Sequence, residues 1–279
     1  MMTQTLTLGH SPDSDDAFMF YALAAGKVGD GALAYEHILK DIQTLNEWAR
    51  EGRLDTTAIS VHAYAYVADR YAILNHGASM GERDYGPMVV ARERVPLEAL
   101  RGATIAVPGL MTSAYLGLRL CVGDFTPVVM PFDEIMEAVA AGSAQYGLLI
   151  HEGQLTHESH GLHSIVNLGT WWHEQTGLPL PLGVNAIKRS LPEAVKRRAS
   201  HDLKASIEYG LAHRDEALAW ALTFARGMER QTADAFVGMY VNRRTVDLGE
   251  EGRASIRLFL ERGARAGIIP NVPAIDFVD

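Results

Sequence analysis

Short apolar runs alternate along the chain with longer segments whose apolar residues recur at helical spacing. The short runs are rich in β-branched residues and bounded by glycine or proline, which predicts strands. The predicted strands are residues 5–9, 33–39, 56–60, 88–91, 104–109, 126–130, 146–151 and 181–187. Capping residues and glycine stops predict helices over residues 11–26, 41–52, 112–122 and 133–141, and over most of the chain from 192 to 266.

Strands that alternate with helices predict an α/β fold with mostly parallel sheets covered by helices on both faces. Two such series are present, so we expect two lobes, each a mixed, mostly parallel sheet, with a ligand cleft between them. The predicted division places residues 1–96 and 190–279 in lobe 1 and residues 97–189 in lobe 2. In sheets of this kind, ligands bind outside the carboxyl ends of the strands.

The two halves of the chain resemble each other at the ends of their strands. LGHSPDSDDAF and AVPGLMTSAYL are each a strand, a turn and a helix start, and REGRLDTTAIS and AAGSAQYGLLIH each end a strand on a polar side chain. If the lobes face each other, Ser60 and His151 lie on opposite walls of one cleft. Two helix N-termini, near Ser14 and Thr112, then point into it, and such N-termini bind carboxylates or phosphates.

Composition narrows the classes of partner. The 279 residues are 48% hydrophobic and carry a formal net charge of −9, with a single cysteine. The negative field and the lack of basic runs disfavour nucleic acid and anionic lipid as partners. With no basic leader and no apolar run of membrane-spanning length, we expect a cytoplasmic protein. The oligomeric state stays open, with a homodimer as the candidate assembly.

His151 is the candidate general base, because imidazole is suited to proton transfer near neutral pH. A histidine that ends a buried strand is also commonly a hydrogen-bonded structural residue, and the sequence alone leaves both readings open. Glu152 is a candidate for orienting or recharging the histidine, and the sequence leaves open whether its side chain points toward His151 or away from it. His157, His160 and His163 follow, but H-E-x-x-H is absent and Gly161 interrupts the segment, so no metal site is predicted.

Five motifs resemble one known enzyme family over nearly the whole chain. They are SPDSDDAFMFYAL, GRLDTTAIS, VPGLMTSAYL, LLIHEGQLT and GLPLPLG, in this order. The chain resembles the 1,4-dihydroxy-6-naphthoate synthases of the futalosine route to menaquinone, which have the two-lobed fold of type II periplasmic binding proteins. The resemblance implies a carbon–carbon lyase that converts cyclic dehypoxanthine futalosine to 1,4-dihydroxy-6-naphthoate and releases the sugar-derived fragment.

The resemblance also implies roles for particular residues. The histidine of the IHE motif, His151 here, is the proton acceptor, and no cofactor is needed because electrons are only redistributed. The substrate is a small carboxylate, and the family's contacts fall on Ala58, Ile59, Ser60, Ser113 and Ala114. Thr112, Ser11 and Asp15, at the two helix starts, are further candidate contacts. Some members have Cys-Pro-Asn where this chain has Asp13-Ser14-Asp15. An asparagine donates a hydrogen bond and an ionised aspartate does not, which leaves the role of Asp15 open.

Two other functions remain as alternatives to the naphthoate synthase. One is a chorismate dehydratase of the same pathway, which shares the fold and also performs a cofactor-free elimination. The other is a non-catalytic protein that binds small anions in the same two-lobed fold. The opening motif SPDSDDAFMFYAL and the segment GRLDTTAIS favour the naphthoate synthase.

Overall fold

Two sheets organise the protein, and the computed structural model describes residues 3–224 and 229–279. Within these residues the larger sheet has seven strands, in the order β12-β4-β11-β3-β1-β2 with β5 paired to β11. They are β1 (Gln4–His10), β2 (Leu33–Leu39), β3 (Thr56–Ser60), β4 (Tyr71–Leu74), β5 (Ser79–Gly81), β11 (Leu180–Lys188) and β12 (Phe277–Val278). The smaller sheet, in the order β10-β6-β9-β7-β8, consists of β6 (Met88–Ala91), β7 (Thr104–Val107), β8 (Thr126–Val129), β9 (Tyr146–Leu149) and β10 (His163–Asn167).

Helices cover both sheets. They are α1 (Ser14–Ala24), α2 (Ile42–Glu51), α3 (Val61–Tyr64), α4 (Ser113–Val122), α5 (Ile135–Ala141), α6 (Gly153–Thr156), α7 (Leu168–Thr176), α8 (Glu193–Ala212), α9 (Arg214–Leu222), α10 (Arg230–Tyr240), α11 (Arg243–Val246) and α12 (Gly249–Arg265). Two short 3-10 segments lie at Leu97–Leu100 and His157–His160. Among the described residues, none of the helices is both long enough and apolar enough to span a bilayer.

The sheet membership of two strands differs from the predicted ranges. Strand β6 lies within the range predicted for lobe 1, yet it pairs with β9 and β10 in the smaller sheet. Strand β11 lies within the range predicted for lobe 2, yet it pairs with β3, β4 and β5 in the larger sheet. Both strands run antiparallel to their neighbours, because the chain enters each of them directly after crossing between the lobes. Both sheets are therefore mixed.

Helix α1 is buried on nearly all sides. Its centre, FMFYA, packs against α8, α9 and α10 as well as the larger sheet, and Phe18, Met19 and Phe20 are at most 1% exposed. A helix enclosed in this way has no polar face, so its sequence is apolar all round. The enclosure holds the N-terminal turn of α1, with its aspartates, in a fixed position at the carboxyl end of β1.

The lobes are joined where two segments cross. Residues 82–87 lead from β5 into β6, and the start of α7 lies against them, with the amide of Leu168 donating to the carbonyl oxygen of Pro87 over 2.8 Å. Gly169 leaves no room for a side chain, because a Cβ atom there would overlap the backbone carbonyl oxygens of Glu82 and Tyr85. The backbones approach this closely only because residue 169 is glycine.

Gly169→Ala therefore tests the crossing. We expect the added methyl group to push the two segments apart and to lower the free energy of unfolding by about 1–3 kcal/mol. Gly117→Ala is the matched control in helix α4, since a Cβ there meets its nearest neighbour, Leu168, at an ordinary 3.6 Å. The control should be neutral or raise stability by up to about 1 kcal/mol. Equal denaturant midpoints for the two variants would contradict the close-approach argument.

Candidate active site

A cleft that is open to solvent, with about 750 Å³ of unfilled space, lies between the lobes. It opens at the carboxyl ends of β1 and β3 and at the N-terminus of α4, as expected for parallel strands. Strand β11 and helix α10 form further parts of the wall. The predicted contact residues that line it are Ser11, Asp15, Ala58, Ser60, Thr112, Ser113 and Ala114.

Two predicted site residues do not line the cleft. The side chain of Ile59 is fully buried in the main hydrophobic cluster, because successive side chains of a strand point to opposite faces and those of Ala58 and Ser60 face the cleft. His151 lies two residues beyond the end of β9, and its neighbour Ile150 is the residue that reaches the cleft. In this conformation His151 is 5% exposed and turned away from the cavity.

Helix α4 presents backbone amides to the cleft. Thr112 caps the helix, since its Oγ1 accepts a hydrogen bond from the amide of Tyr115 over 3.2 Å. The hydroxyl protons of Thr112 and Ser113 are already donated, to the carbonyl oxygens of Gly109 and Leu182. In this arrangement the two hydroxyl groups therefore have no proton left to donate to a ligand. The amides of Ser113 and Ala114 have no intrahelical acceptor, because they begin the helix.

Asn46 fixes the end of β3 against the turn that precedes α4. Its side chain is fully buried and accepts from the amide of Ser60 over 2.8 Å, while its Nδ2 donates to Ser60 Oγ over 3.0 Å. The same Nδ2 approaches the carbonyl oxygen of Met111 at 3.4 Å. Both sides of the cleft floor are thus held by one amide group, and the hydroxyl proton of Ser60 remains directed away from Asn46.

His62 makes a second connection between the lobes. Its amide donates to Ser113 Oγ over 3.2 Å, and its Nδ1 lies 3.2 Å from the carbonyl oxygen of Thr112. Burial lowers the pKa of His62 to about 4, against the opposing effect of the Thr112 carbonyl. The ring is therefore neutral near pH 7 and donates from Nδ1, as a structural residue of the α4 turn.

Both ring nitrogens of His151 are engaged by the backbone. The amide of Gly153 donates to Nδ1 over 2.9 Å, so Nδ1 carries the lone pair and Nε2 donates its proton to the carbonyl oxygen of Phe132 over 3.0 Å. Glu152 points toward the histidine, with its Oε2 3.7 Å from Nδ1. The ring nitrogen that carries the lone pair is therefore the one that lies nearer to the Glu152 carboxylate.

Three carboxyl groups line the opposite part of the cleft, at the start of α1. Asp16 Oδ2 accepts from the amide of Ser11 over 2.8 Å, and Asp13 and Asp15 flank it. Burial raises the pKa of Asp16 to about 7; the Ser11 amide lowers it and the charge of Asp13 adds to the increase. Burial, together with the charges of Asp16 and Asp13, raises the pKa of Asp15 well above its usual range.

The sequence matches known proteins over almost its whole length. The family described as "Menaquinone biosynthesis" matches residues 6–265. A 1,4-dihydroxy-6-naphthoate synthase of Thermus thermophilus is 45% identical over 269 residues, covering 96% of this chain and 97% of the relative. A second enzyme of that name, from Streptomyces coelicolor, is 39% identical over 97% of this chain and 96% of its own length. The chain belongs to the menaquinone-biosynthesis family.

Solved structures agree with this membership and with the fold. A protein of Archaeoglobus fulgidus is similar with a TM-score of 0.90 and 44% identity, covering 95% of this chain and 98% of that chain. The alkanesulfonate-binding protein of Xanthomonas axonopodis, solved with bound MOPS, has a TM-score of 0.73 at 12% identity, with 99% and 97% coverage. The second likeness is one of fold, and it confirms the predicted periplasmic-binding-protein architecture.

Asn185 and Tyr240 line the cleft of this family member and were missed by sequence reasoning. Asn185 is 1% exposed; its Nδ2 donates to the carbonyl oxygen of Gly77, which leaves Oδ1 as a buried acceptor with no recorded protein donor among the described residues. The sequence feature that could have identified Asn185 is its position as a polar residue within the apolar run of β11. Tyr240 donates to Oε1 of Gln154 over 2.8 Å and so connects α10 with α6 of the other lobe.

No group of three or more histidine, cysteine, aspartate or glutamate side chains suited to a metal ion occurs within residues 3–224 and 229–279. The polar groups that line the cleft are instead amides, hydroxyls and carboxyls. These groups bind organic ligands through hydrogen bonds, and their arrangement has amide donors at α4 and carboxyl groups at α1.

Asn46→Ala tests the floor of the cleft. It leaves the buried amide of Ser60 without an acceptor, and we expect the free energy of unfolding to fall by at least about 1–3 kcal/mol. Gln43→Ala is the control: Gln43 is half-buried on the same helix and accepts from the amide of Met111 over 3.2 Å. Its loss should cost under about 1 kcal/mol, because water can replace the acceptor. Urea denaturation that ranks the two variants in the opposite order would contradict the role given to Asn46.

Proposed function

We propose that this protein converts cyclic dehypoxanthine futalosine to 1,4-dihydroxy-6-naphthoate with release of the sugar-derived fragment. The observation that supports the proposal is the position of the N-terminus of α4, whose residues Ser113 and Ala114 line the cleft of a chain similar to two naphthoate synthases over nearly all of its length. The reaction belongs to the carbon–carbon lyases. It needs no cofactor, because the electrons are redistributed within the substrate and aromatisation supplies driving force.

The substrate's carboxylate binds at the N-terminus of α4. The amides of Ser113 and Ala114 donate to its oxygens, and the helix dipole adds a partial positive charge there. No lysine or arginine lines the described cleft, so these backbone groups are the main anion donors. The hydroxyl of Ser60 and the free Oδ1 of Asn185 are left for the substrate's hydroxyl groups.

His151 is the proposed general base. Its lone pair is on Nδ1, and to reach the substrate Nδ1 must exchange the Gly153 amide for a substrate proton. A rotation of the turn formed by residues 151–153 achieves this exchange, since that turn directly follows Ile150 at the cleft wall. Glu152, whose Oε2 lies 3.7 Å from Nδ1 before this rotation, is the neighbouring carboxylate that balances the charge of the protonated ring. Removal of this proton from the substrate begins the reaction that releases the sugar-derived fragment.

His151→Asn tests the base. We expect the variant to fold and to bind 1,4-dihydroxy-6-naphthoate within about threefold of wild-type affinity, because asparagine can replace one of the two backbone contacts. Turnover should fall by about 10²–10⁴, the usual contribution of a general base. The control is His160→Asn, an exposed histidine on the following turn, which should retain turnover. Wild-type kcat in His151→Asn would rule out the base assignment.

The choice of substrate is tested directly by incubating the protein with cyclic dehypoxanthine futalosine and, separately, with chorismate. Mass spectrometry should detect consumption of the first and release of the naphthoate. Consumption of chorismate alone would identify a dehydratase instead. Tight binding without consumption of either compound would favour a non-catalytic anion-binding protein, and both results contradict the proposal.

We propose a cytoplasmic location, as expected for a biosynthetic enzyme that acts on a small soluble substrate. A homodimer stays the candidate assembly.

A further inference from the structure

Asn185 holds one side-chain oxygen at the wall of the cleft without a protein donor. The residue lies on β11, is 1% exposed and lines the cavity. Its Nδ2 donates to the carbonyl oxygen of Gly77 over 2.9 Å, whereas no donor among the described residues reaches its Oδ1. Buried side-chain polar atoms in folded proteins nearly always have a hydrogen-bond partner. The partner of this oxygen is therefore expected to come from the cavity.

The orientation of the Asn185 amide is fixed by the loop at Gly77. The amide of Gly77 donates to the carbonyl oxygen of Thr245 over 2.7 Å, which holds this loop against α11. Gly77 has a φ of +79°, and a Cβ atom there would overlap Asn185 Nδ2, so the close approach requires glycine. If the amide were turned over, Oδ1 would face the Gly77 carbonyl oxygen, and two acceptors would be opposed. The free group of Asn185 is therefore an acceptor and not a donor.

Asn185 shares a face of the larger sheet with Ser60. In the antiparallel pairing of β11 with β3, Asn185 lies opposite Ala58. Gly183, two residues earlier on β11, lies opposite Ser60. Residues opposite each other, and residues two apart on one strand, share a face, and two residues span about 7 Å. The acceptor is therefore displaced along the sheet by roughly this distance from Ser60, which Asn46 holds close to the turn before α4.

A ligand that fills the cleft displaces the water that solvates Oδ1. Unless the ligand supplies a donor in its place, the oxygen loses its hydrogen bond, and an unpaired buried acceptor weakens binding. A site built to hydrogen-bond a hydroxyl group rejects an analogue without that group far more strongly than an apolar pocket rejects a missing methylene. Asn185 Oδ1 therefore gives the cleft a means of selecting ligands by their donors.

We propose that Asn185 is a specificity-determining residue whose Oδ1 accepts a hydrogen bond from a hydroxyl group of the substrate. The cleft then selects carboxylates that carry a hydroxyl group remote from the carboxylate. This inference rests on the proposed function, because the carboxylate at α4 sets which part of the ligand reaches Asn185. In 1,4-dihydroxy-6-naphthoate the carboxylate and the hydroxyl groups are on different rings, which matches an anion site and an acceptor that lie apart.

The test compares 1,4-dihydroxy-6-naphthoate with naphthalene-2-carboxylate, which lacks the two hydroxyl groups. Both compounds are carboxylates at about pH 7. Isothermal titration calorimetry under anaerobic conditions should show that the wild-type protein binds the dihydroxy compound about 10–100-fold more tightly. In Asn185→Ala this ratio of Kd values should fall at least about fivefold, because the acceptor is gone. A purely structural role would change both Kd values by the same factor and leave the ratio unchanged.

Two further variants guard against a disturbed fold. Asn185→Val also lacks the acceptor but keeps more of the volume and suits a buried strand, so it should lower the ratio as Asn185→Ala does, and either variant suffices if the other does not fold. The control is Asn75→Ala, at a buried asparagine outside the cleft lining. Asn75 donates to Asp247 and accepts from Arg253. Its loss removes comparable hydrogen bonds and should leave the ratio at the wild-type value.

The outcomes separate this inference from the proposed reaction. A wild-type ratio in the Asn185 variants, or equal Kd values for the two compounds in the wild-type protein, would overturn the role of Asn185 and leave the reaction intact. If the wild-type protein binds neither compound, the carboxylate site and the inference fail together. If the ratio falls as expected but cyclic dehypoxanthine futalosine is not consumed, the reaction is contradicted and the role of Asn185 stands.

Discussion

The buried side chain of Asn46 is the constraint on which the cleft depends. It satisfies the amide and the hydroxyl of Ser60 at the end of one sheet, and it reaches the carbonyl oxygen of Met111 in the other lobe. An apolar residue could fill the same volume, but it would leave the Ser60 amide buried and unpaired. The turn at Met111 leads directly into α4. Asn46, which lies in lobe 1, therefore helps to fix the orientation of this helix at the cleft.

His62 and Ser113 extend this constraint across the lobe boundary. The Ser113 hydroxyl accepts from the His62 amide and donates to the Leu182 carbonyl, which ties α3, α4 and β11 together. The main hydrophobic cluster also runs through both lobes, with Ile59 and Leu116 among its members. Opening the cleft at this side would break buried polar and apolar contacts together, so α4 is a fixed wall. On the other side of the cleft, the hydrogen bond from Tyr240 to Gln154 links α10 with α6.

Much of this arrangement could be predicted from sequence, because strand ends and helix starts carry local signals. The glycine and proline turns located β1, β3, β7 and β9, and the capping residues located α1, α2 and α4. Strands β6 and β11 were assigned to the wrong sheet, since an apolar run gives no information about which partner strand it will pair with. Ile59 was included because a motif spans consecutive residues, whereas a strand presents only alternate side chains to a site. The pairing of His151 with the Phe132 carbonyl joins residues 19 apart, and no local pattern encodes it.

Gln154 connects the turn around His151 with helix α10 on the other side of the cleft. Its side chain accepts a hydrogen bond from the Tyr240 hydroxyl, and its backbone amide donates to the carbonyl oxygen of His151. A ligand that moves Tyr240 therefore also acts on the turn that carries His151 and on the Gly153 amide bound to its Nδ1. In the proposed mechanism, this contact is the route by which the substrate frees Nδ1 from its backbone donor.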